Sequence, residues 1–310
     1  MNILITGGGG YIGSVLVPAL IDKGHTVSVL DKFDTQTSSL SLSCSSKKLE
    51  IIKGDVRDEQ LLKALLPKVD AVIPLAAMVG APICKLDPIN ATSINFDAIK
   101  ILVDLTSKNQ KIIYPTTNSG YGIGAKDAFC DEESPLNPIS LYGKTKVDAE
   151  DYVLNNNNGI TLRLATVFGM SPRMRLDLMV NDFVYRAFKD KAIVIFEGGF
   201  RRNFIHIRDV AAAFIHAIEN YETMNQEPYN VGLSSANLTK LELCLKIKEY
   251  VPDFTIIESE IGQDPDKRDY LVSNKKIENT GFMPSFSLDD GIQELLKGFN
   301  TFKNSINSNI

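Results

Sequence analysis

Hydrophobic and polar residues follow two different periods along the first half of this chain. Short apolar runs predict strands at 2–6, 26–30, 50–53, 70–75, 111–116 and 160–165. Between them, apolar residues recur at helical spacing and predict helices at about 11–23, 58–66, 91–108 and 142–156. Strands that alternate with helices indicate an α/β fold with a doubly wound parallel sheet. Pro18 should kink the first helix or cost it a hydrogen bond.

The regular alternation ends after Phe168. Further patterns predict helices at 176–190, 208–220, 238–250 and 287–300, with strands at 192–196 and 229–232. We therefore expect a larger domain over 1–168, to which 203–228 return, and a smaller α/β domain from 169–202 and 229–300. The polar tail 301–310 is expected to be disordered.

Composition excludes several classes of function. The 310 residues are 44% hydrophobic and 23% charged, as in ordinary globular proteins. A formal net charge of -5 gives no basic field for nucleic acid. The four cysteines form no CxxC pair, which argues against a structural metal site or a disulfide framework. The first strand leaves no room for a leader, and no apolar run reaches membrane-spanning length, so we expect a cytoplasmic protein without a membrane partner.

A glycine-rich turn follows the first predicted strand, and Asp31 ends the second. Glycines allow a backbone to approach a pyrophosphate, and the helix behind them offers unpaired N–H groups. A carboxylate at Asp31 accepts hydrogen bonds from an adenosine ribose and repels a 2′-phosphate, which favours NAD over NADP. The predicted contacts are Gly7, Gly10, Tyr11, Ile12, Gly13, Asp31 and Lys32. Lys32 taken alone is also typical of a solvated loop.

Tyr142 and Lys146 lie four residues apart, on one face of a predicted helix. A lysine and a nicotinamide cation both favour a phenolate, although lowering a tyrosine pKa by roughly three units requires about 4 kcal/mol. Such a phenolate takes a hydroxyl proton while hydride passes to the nicotinamide. Thr117, at the end of the fifth predicted strand, offers a hydroxyl to the same crevice. A surface pair and a turn-stabilising threonine are the alternative readings.

Together with Leu75–Ala77 and Asn95, these motifs resemble the extended short-chain dehydrogenase/reductase family of sugar-nucleotide epimerases and dehydratases. The resemblance covers essentially the whole chain. It implies a Rossmann domain over a C-terminal substrate domain, tightly bound NAD, catalysis by Tyr142, Lys146 and Thr117, and a homodimer formed through the helices at 91–108 and 142–156. It also implies cofactor contacts from Asp55, Val56, Leu75, Ala76, Ala77 and Asn95. The implied substrate contacts are Asn118, Arg173, Arg175, Asn181, Arg202 and Arg268. The arginines among them form a cationic cluster with Arg201 and Lys267 that suits two anionic ligands.

The residues after Thr117 bear on the reaction. Family 4,6-dehydratases carry an Asp-Glu pair there, whereas this chain has Asn118 and Ser119, which disfavours dehydration. Stretches 75–82, 116–124, 164–177 and 264–270 more closely resemble enzymes that oxidise the C4 hydroxyl of GDP-D-glycero-α-D-manno-heptose in capsule biosynthesis. That resemblance implies a 4-keto product and reoxidation of the bound cofactor by 2-oxoglutarate. A nucleotide-sugar 4-epimerase and a non-catalytic dinucleotide sensor stay open as alternatives.

Overall fold

The computed structural model describes residues 1–34, 38–125, 128–156, 159–259, 261 and 268–302. The strands are β1 (Asn2–Thr6), β2 (Thr26–Asp31), β3 (Leu49–Lys53), β4 (Ala71–Pro74), β5 (Lys111–Thr117), β6 (Phe129–Cys130), β7 (Ile160–Leu164), β8 (Thr166–Phe168), β9 (Ala192–Phe196), β10 (Arg201–His206), β11 (Pro228–Val231), β12 (Asn237–Thr239), β13 (Thr255–Ser259) and β14 (Leu271–Val272). The helices are α1 (Gly13–Asp22), α2 (Glu59–Leu65), α3 (Ala81–Leu86), α4 (Pro88–Thr92), α5 (Ala98–Leu105), α6 (Leu141–Asn156), α7 (Met179–Lys189), α8 (Ile207–Glu219), α9 (Tyr221–Met224), α10 (Lys240–Tyr250), α11 (Lys275–Glu278) and α12 (Leu288–Phe299). Most of the predicted disordered tail, 303–310, lies outside the described residues.

The largest sheet has seven parallel strands in the order β11-β7-β5-β4-β1-β2-β3. The order reverses at β1, where Ile3 is paired with Val27 of β2 on one side and with Ala71 of β4 on the other. This arrangement is a doubly wound Rossmann sheet and confirms the predicted fold class. A ligand crevice forms beyond the carboxyl ends of such strands, at the point of reversal.

Both faces of the sheet are covered by helices. Side chains alternate along β1, so Ile3 and Ile5 join the apolar cluster that includes α1 and α8. Leu4, between them, packs with residues of α2, α5 and α6 on the other face. Strands buried on two faces need apolar residues at every position, which explains the unbroken apolar run that marks β1 in the sequence. Among the described helices, none has the length and apolar character needed to cross a membrane.

Two predicted features differ in detail from the structure, and one of the two effects predicted for Pro18, the lost hydrogen bond, is found. The helix predicted at 91–108 is divided into α4, a π-helical turn over Ser93–Asp97, and α5. Helix α1 continues through Pro18 as one element, and the proline removes only its own N–H from the helical hydrogen bonds. Strand β11 belongs to the large sheet, so the predicted domain boundary at residue 229 falls inside that strand. The division into two domains otherwise stays a prediction.

Candidate active site

A cavity of about 1050 Å3 opens at the carboxyl ends of the parallel strands. The predicted site residues that line it are Gly7, Gly10, Tyr11, Ile12, Gly13, Asp31, Lys32, Asp55, Val56, Leu75, Ala76, Ala77, Thr117, Tyr142, Lys146, Arg173, Arg175, Arg202 and Arg268. Asn95, Asn118 and Asn181 do not line it. The fold therefore brings distant segments of the chain to one cavity, whereas the side chains of three predicted contact residues do not face it.

The glycine turn forms a cradle in which side chains have no room. Gly7 has a φ of +73°, and a Cβ there would lie 2.5 Å from the backbone nitrogen of Ala76. A Cβ on Gly13 would lie 2.4 Å from the carbonyl oxygen of Gly8. The N–H groups of Tyr11 and Ile12 donate to no described residue, and α1 begins without a side-chain cap. These donors suit an anionic group at the helix N-terminus.

Two carboxylates stand beside this cradle, and both are held in place. Asp31 accepts hydrogen bonds from the N–H groups of Gly9 and Phe33, each at 2.9 Å. The Arg57 guanidinium binds Asp55, with an Nη2–Oδ2 distance of 2.6 Å, and its hydrogen bonds hold the pKa of that carboxyl well below its usual range. Lys32 also pairs with Asp55, at 3.1 Å. Sequence reasoning missed Arg57, whose signal was a basic residue two positions after Asp55 in the same turn.

Asn95 supports the cavity wall from behind. It is 1% exposed, its Oδ1 accepts from the Met78 N–H at 2.8 Å, and its Nδ2 donates to the Met78 carbonyl at 2.9 Å. The π-helical turn places it under the segment that follows β4. Asn95 thus holds the backbone of Met78, directly after Leu75–Ala77, and its side chain does not line the cavity.

Helix α6 carries Tyr142 and Lys146 to the cavity one turn apart. Lys146 is 4% exposed, and its Nζ lies 4.0 Å from the centroid of the Tyr114 ring. Burial lowers the pKa of Lys146 to about 7, against the opposing charge of Glu150. Tyr142 and Lys146 thus share a cavity wall, and the lysine is far less hydrated than a surface residue.

The expected lowering of the Tyr142 pKa is not found in the protein alone. Burial raises the pKa of Tyr142, and the charges of Arg175 and Arg268 and the interaction with the Thr117 hydroxyl only partly oppose it. Lys146 is not among the groups that shift it. A phenolate at Tyr142 therefore requires further positive charge, such as that of a bound nicotinamide.

Thr117, Ser119 and Arg268 form a hydrogen-bonded group at the end of β5. The Thr117 hydroxyl donates to Ser119 Oγ at 2.9 Å, and Thr117 Oγ1 accepts from the Ser119 N–H at 3.1 Å. Arg268 Nη1 donates to Ser119 Oγ as well. Asn118, between the two hydroxyl residues, is 1% exposed, and its side-chain N and O atoms have no partner among the described residues. In the sequence, Ser119 stands out only because it lacks the acid that 4,6-dehydratases carry at this position.

Four arginines from three segments of the chain face the same cavity. Arg175 Nη2 lies 2.5 Å from Asp177 Oδ2, and Arg173 donates to the Met174 carbonyl at 2.7 Å. Arg202 is 1% exposed and donates to the carbonyl of Arg268. Forked guanidinium donors of this kind suit phosphate and carboxylate oxygens.

The rest of the predicted cationic cluster is placed elsewhere. Arg201 pairs with Asp269, with an Nε–Oδ1 distance of 3.0 Å, and does not line the cavity. Lys267 lies outside the described residues. The positive charge that faces the cavity therefore comes from Arg173, Arg175, Arg202 and Arg268 together with a few lysines.

Asn181 joins α7 to the glycine turn rather than facing the cavity. Its Nδ2 donates to the Arg175 carbonyl at 2.9 Å and to the Tyr11 hydroxyl at 3.2 Å, and its Oδ1 accepts from the Gly169 N–H at 3.0 Å. Tyr11 in turn donates to the Gly169 carbonyl at 2.7 Å. Asn181 thus fixes the backbone that carries Arg175.

His206, Tyr121 and Cys84 lie outside the cavity. His206 is fully buried, stacks on Phe286 at 4.4 Å and pairs with Glu294 at 2.5 Å. Tyr121 accepts from Arg163 at 3.0 Å in a buried polar network, and burial raises the pKa of the Cys84 thiol. The Cys84 thiol donates to the Met78 carbonyl at 3.3 Å, so all three side chains have structural partners.

Residues 3–232 match the NAD dependent epimerase/dehydratase family. The chain belongs to this family. NAD is its cofactor, and the residues fit the group: the cradle at Gly7 and Gly13 with its unpaired N–H groups suits a diphosphate, and Asp31 suits a ribose. The predicted family and cofactor are confirmed.

Relatives with different reactions resemble the chain to similar degrees. UDP-glucuronic acid decarboxylase 1 of Arabidopsis thaliana is 26% identical, over 96% of this chain and 70% of the relative. dTDP-D-glucose 4,6-dehydratase of Mus musculus is 28% identical, over 98% of this chain and 91% of the relative. The crystal structure of UDP-glucuronic acid 4-epimerase from Bacillus cereus, in complex with UDP-glucuronic acid and NAD, has a TM-score of 0.83 and 25% identity, over 97% of this chain and 99% of that one. Similarity alone therefore establishes an enzyme of this family and leaves its reaction to the site residues.

Proposed function

We propose that this enzyme uses NAD to oxidise the C4 hydroxyl of a nucleotide-linked sugar, with GDP-D-glycero-α-D-manno-heptose as substrate and a 4-keto heptose as product. One observation carries the proposal. Tyr142, Lys146 and Thr117 share a cavity with the glycine cradle, while the two positions after Thr117 hold no carboxylic acid. Such a site has a base for oxidation and lacks the acid that dehydration needs.

Each site residue has a separate task in this reaction. Tyr142 takes the proton of the C4 hydroxyl, and Thr117 hydrogen-bonds that hydroxyl and orients it. Lys146, on the same cavity wall, orients the ribose of the cofactor, and the positive charge that favours the phenolate comes with the bound ligand. NAD, when bound, supplies the acceptor for the hydride that leaves C4. Loss of one proton and one hydride converts the alcohol to a ketone, so the step balances.

The arginines are assigned to anionic parts of the ligands. Arg202 and Arg268 suit the substrate diphosphate, and Arg173 and Arg175 add further forked donors to the same cavity. We assign 2-oxoglutarate as the oxidant that returns the reduced cofactor to NAD. Four guanidinium groups in one cavity support a second anionic ligand of this type.

The runner-up is a nucleotide-sugar 4-epimerase that acts through a transient 4-ketone. It is favoured by the likeness to a solved 4-epimerase at a TM-score of 0.83. An epimerase returns the hydride to the other face of the sugar and therefore consumes no external oxidant. A non-catalytic dinucleotide sensor would not need Tyr142, Lys146 and Thr117 together in one cavity.

Mass spectrometry of the purified enzyme separates these functions. We expect GDP-D-glycero-α-D-manno-heptose alone to leave NADH on the protein. Adding 2-oxoglutarate should yield a keto-heptose and 2-hydroxyglutarate in equal amounts. An inverted sugar with the cofactor still oxidised would establish the epimerase instead. An unchanged sugar that also fails to bind in calorimetry would favour the sensor.

We also propose a cytoplasmic homodimer formed through the helical segment 91–108 and α6. Helix α5 of that segment packs on α6, and Phe96, in the π-helical turn before α5, meets Tyr152 of α6 edge to face with centroids 6.4 Å apart. Light scattering after size-exclusion chromatography tests the proposal, and a mass of one chain would refute it.

A further inference from the structure

We propose that Ser119 is a positioning residue that connects Arg268 to Tyr142 through the Thr117 hydroxyl. The direction in which the two hydroxyls donate reverses when Tyr142 gives up its proton. The inference rests on the proposed function in one respect, namely that Tyr142 is the base.

Two hydrogen bonds join Thr117 and Ser119 in a closed ring, one from hydroxyl to hydroxyl at 2.9 Å and one from the Ser119 N–H to Thr117 Oγ1 at 3.1 Å. The ring fixes the Thr117 side chain as the N-cap of the 3-10 helix Asn118–Tyr121. Ser119 is 3% exposed and lines the cavity. Its hydroxyl is therefore held between the reacting groups and the arginine.

The hydroxyl protons of Thr117 and Ser119 limit the hydrogen bonds that these two residues can form. A hydroxyl has one proton and accepts two hydrogen bonds. Thr117 gives its only proton to Ser119, so it has none for a phenolate at Tyr142. Ser119 Oγ accepts from both Thr117 and Arg268, and its own proton has no acceptor among the described residues. Ser119 is thus able to turn its proton to Thr117, which frees the Thr117 proton for the phenolate and, once Tyr142 has taken the C4 proton, for the C4 oxygen that Thr117 orients.

The charge of Arg268 favours one of these two hydrogen-bond arrangements. Its guanidinium donates to Ser119 Oγ in both arrangements, and its positive charge favours a Ser119 proton that points away from it, toward Thr117. That arrangement is the one that stabilises the Tyr142 phenolate. The interaction with Thr117 and the charge of Arg268 both lower the pKa of Tyr142, although burial raises it more.

Other groups near Tyr142 do not take part in the reversal. Arg175 lowers the pKa of Tyr142 from the segment before α7, and Cys84 raises it from α3. Lys146 lies one turn along the same helix, over the Tyr114 ring. None of the three is hydrogen-bonded to Ser119. Replacing Ser119 should therefore change only the part of the Tyr142 stabilisation that passes through Thr117.

The test is the pH dependence of NADH formation on the NAD-loaded enzyme in a single turnover, with saturating GDP-D-glycero-α-D-manno-heptose. In the wild type the rate should fall on the acid side as Tyr142 becomes protonated. For Ser119→Ala we expect this acid limb to move up by about one pH unit, so that NADH formation at pH values below it is about tenfold slower. A shift of this size corresponds to the loss of one hydrogen bond to a charged group. Ser119→Thr keeps the hydroxyl and should restore the wild-type profile. Bound NAD should be unchanged in both variants.

A double variant adds an independent readout. Because Ser119 and Arg268 act through one chain, Ser119→Ala combined with Arg268→Met should shift the limb no further than the larger single shift. Additive shifts, an unchanged limb in Ser119→Ala, or a Ser119→Thr enzyme that behaves like the alanine variant would overturn the inference. A wild-type enzyme that forms no NADH from the sugar nucleotide would instead refute the proposed function.

Discussion

Replacing Lys146 with methionine should stabilise the NAD-free protein at neutral pH and lose that effect as the solution becomes alkaline. Lys146 is 4% exposed, has Tyr114 as its ring partner, and lies one turn from Glu150. Burial lowers its pKa from 10.5 to about 7. The folded protein therefore holds this proton less tightly than the unfolded chain does.

The sign and size of the effect follow from that difference. Between about pH 7 and pH 10.5 the unfolded chain binds more protons at this residue, so the free energy of unfolding rises with pH. At 1.36 kcal/mol per pKa unit, the lysine costs about 4 kcal/mol at pH 7 and about 2 kcal/mol at pH 9. Methionine does not titrate, fills a similar volume and avoids the cost.

Urea unfolding of the wild type and of Lys146→Met at pH 7 and pH 9 measures this difference. We expect the advantage of the variant to shrink by about 2 kcal/mol between the two pH values. Lys63→Met is the matched control, because Lys63 is 56% exposed in its pair with Glu59 and its charge is therefore not taken out of water as that of Lys146 is. An equal advantage of Lys146→Met at both pH values would refute the argument that burial of the charge depresses the pKa.

Three further changes test other parts of the site. Tyr142→Phe should retain bound NAD yet form no NADH from the sugar nucleotide, and mass spectrometry of the released cofactor checks both; full activity would remove Tyr142 as the base. Glu150→Ala should lower the free energy of unfolding by about 3–5 kcal/mol, because it leaves the buried Arg163 without its carboxylate. Glu59→Ala is the control: it breaks an exposed pair with Lys63 of the same 2.6 Å length and should lower the free energy of unfolding by under about 1 kcal/mol. Gly7→Ala should abolish copurification of NAD, since its Cβ meets Ala76 at 2.5 Å, whereas Gly199→Ala, with nothing within 4 Å, should not.

The sheet could be predicted because burial leaves a direct mark on the sequence. Ile3, Leu4 and Ile5 are fully buried between two layers of helices, so no polar residue interrupts the run. The cradle could be predicted for the same kind of reason, because Gly7 and Gly13 occupy positions where no other residue fits.

The division between lining and supporting residues could not be predicted. The side-chain amides of Asn95 and Asn181 could equally hydrogen-bond a ligand. In the structure each of them hydrogen-bonds backbone groups of another segment. The partner of Asn181 at the glycine turn, Tyr11, is 170 residues away in the chain. Only the tertiary fold shows which polar side chain faces the cavity and which one holds its wall.

The protonation of the catalytic pair depends on burial in the same way. The sequence spacing of Tyr142 and Lys146 predicts a phenolate beside an ammonium, but burial raises the pKa of the tyrosine and lowers that of the lysine to about 7. Near neutral pH the protein alone therefore favours a protonated tyrosine, and a large share of the lysine is neutral. Formation of the base needs positive charge that a bound ligand brings to the cavity. The site thus gains its base when its ligands are in place, and the energy for that change comes from binding rather than from the pair itself.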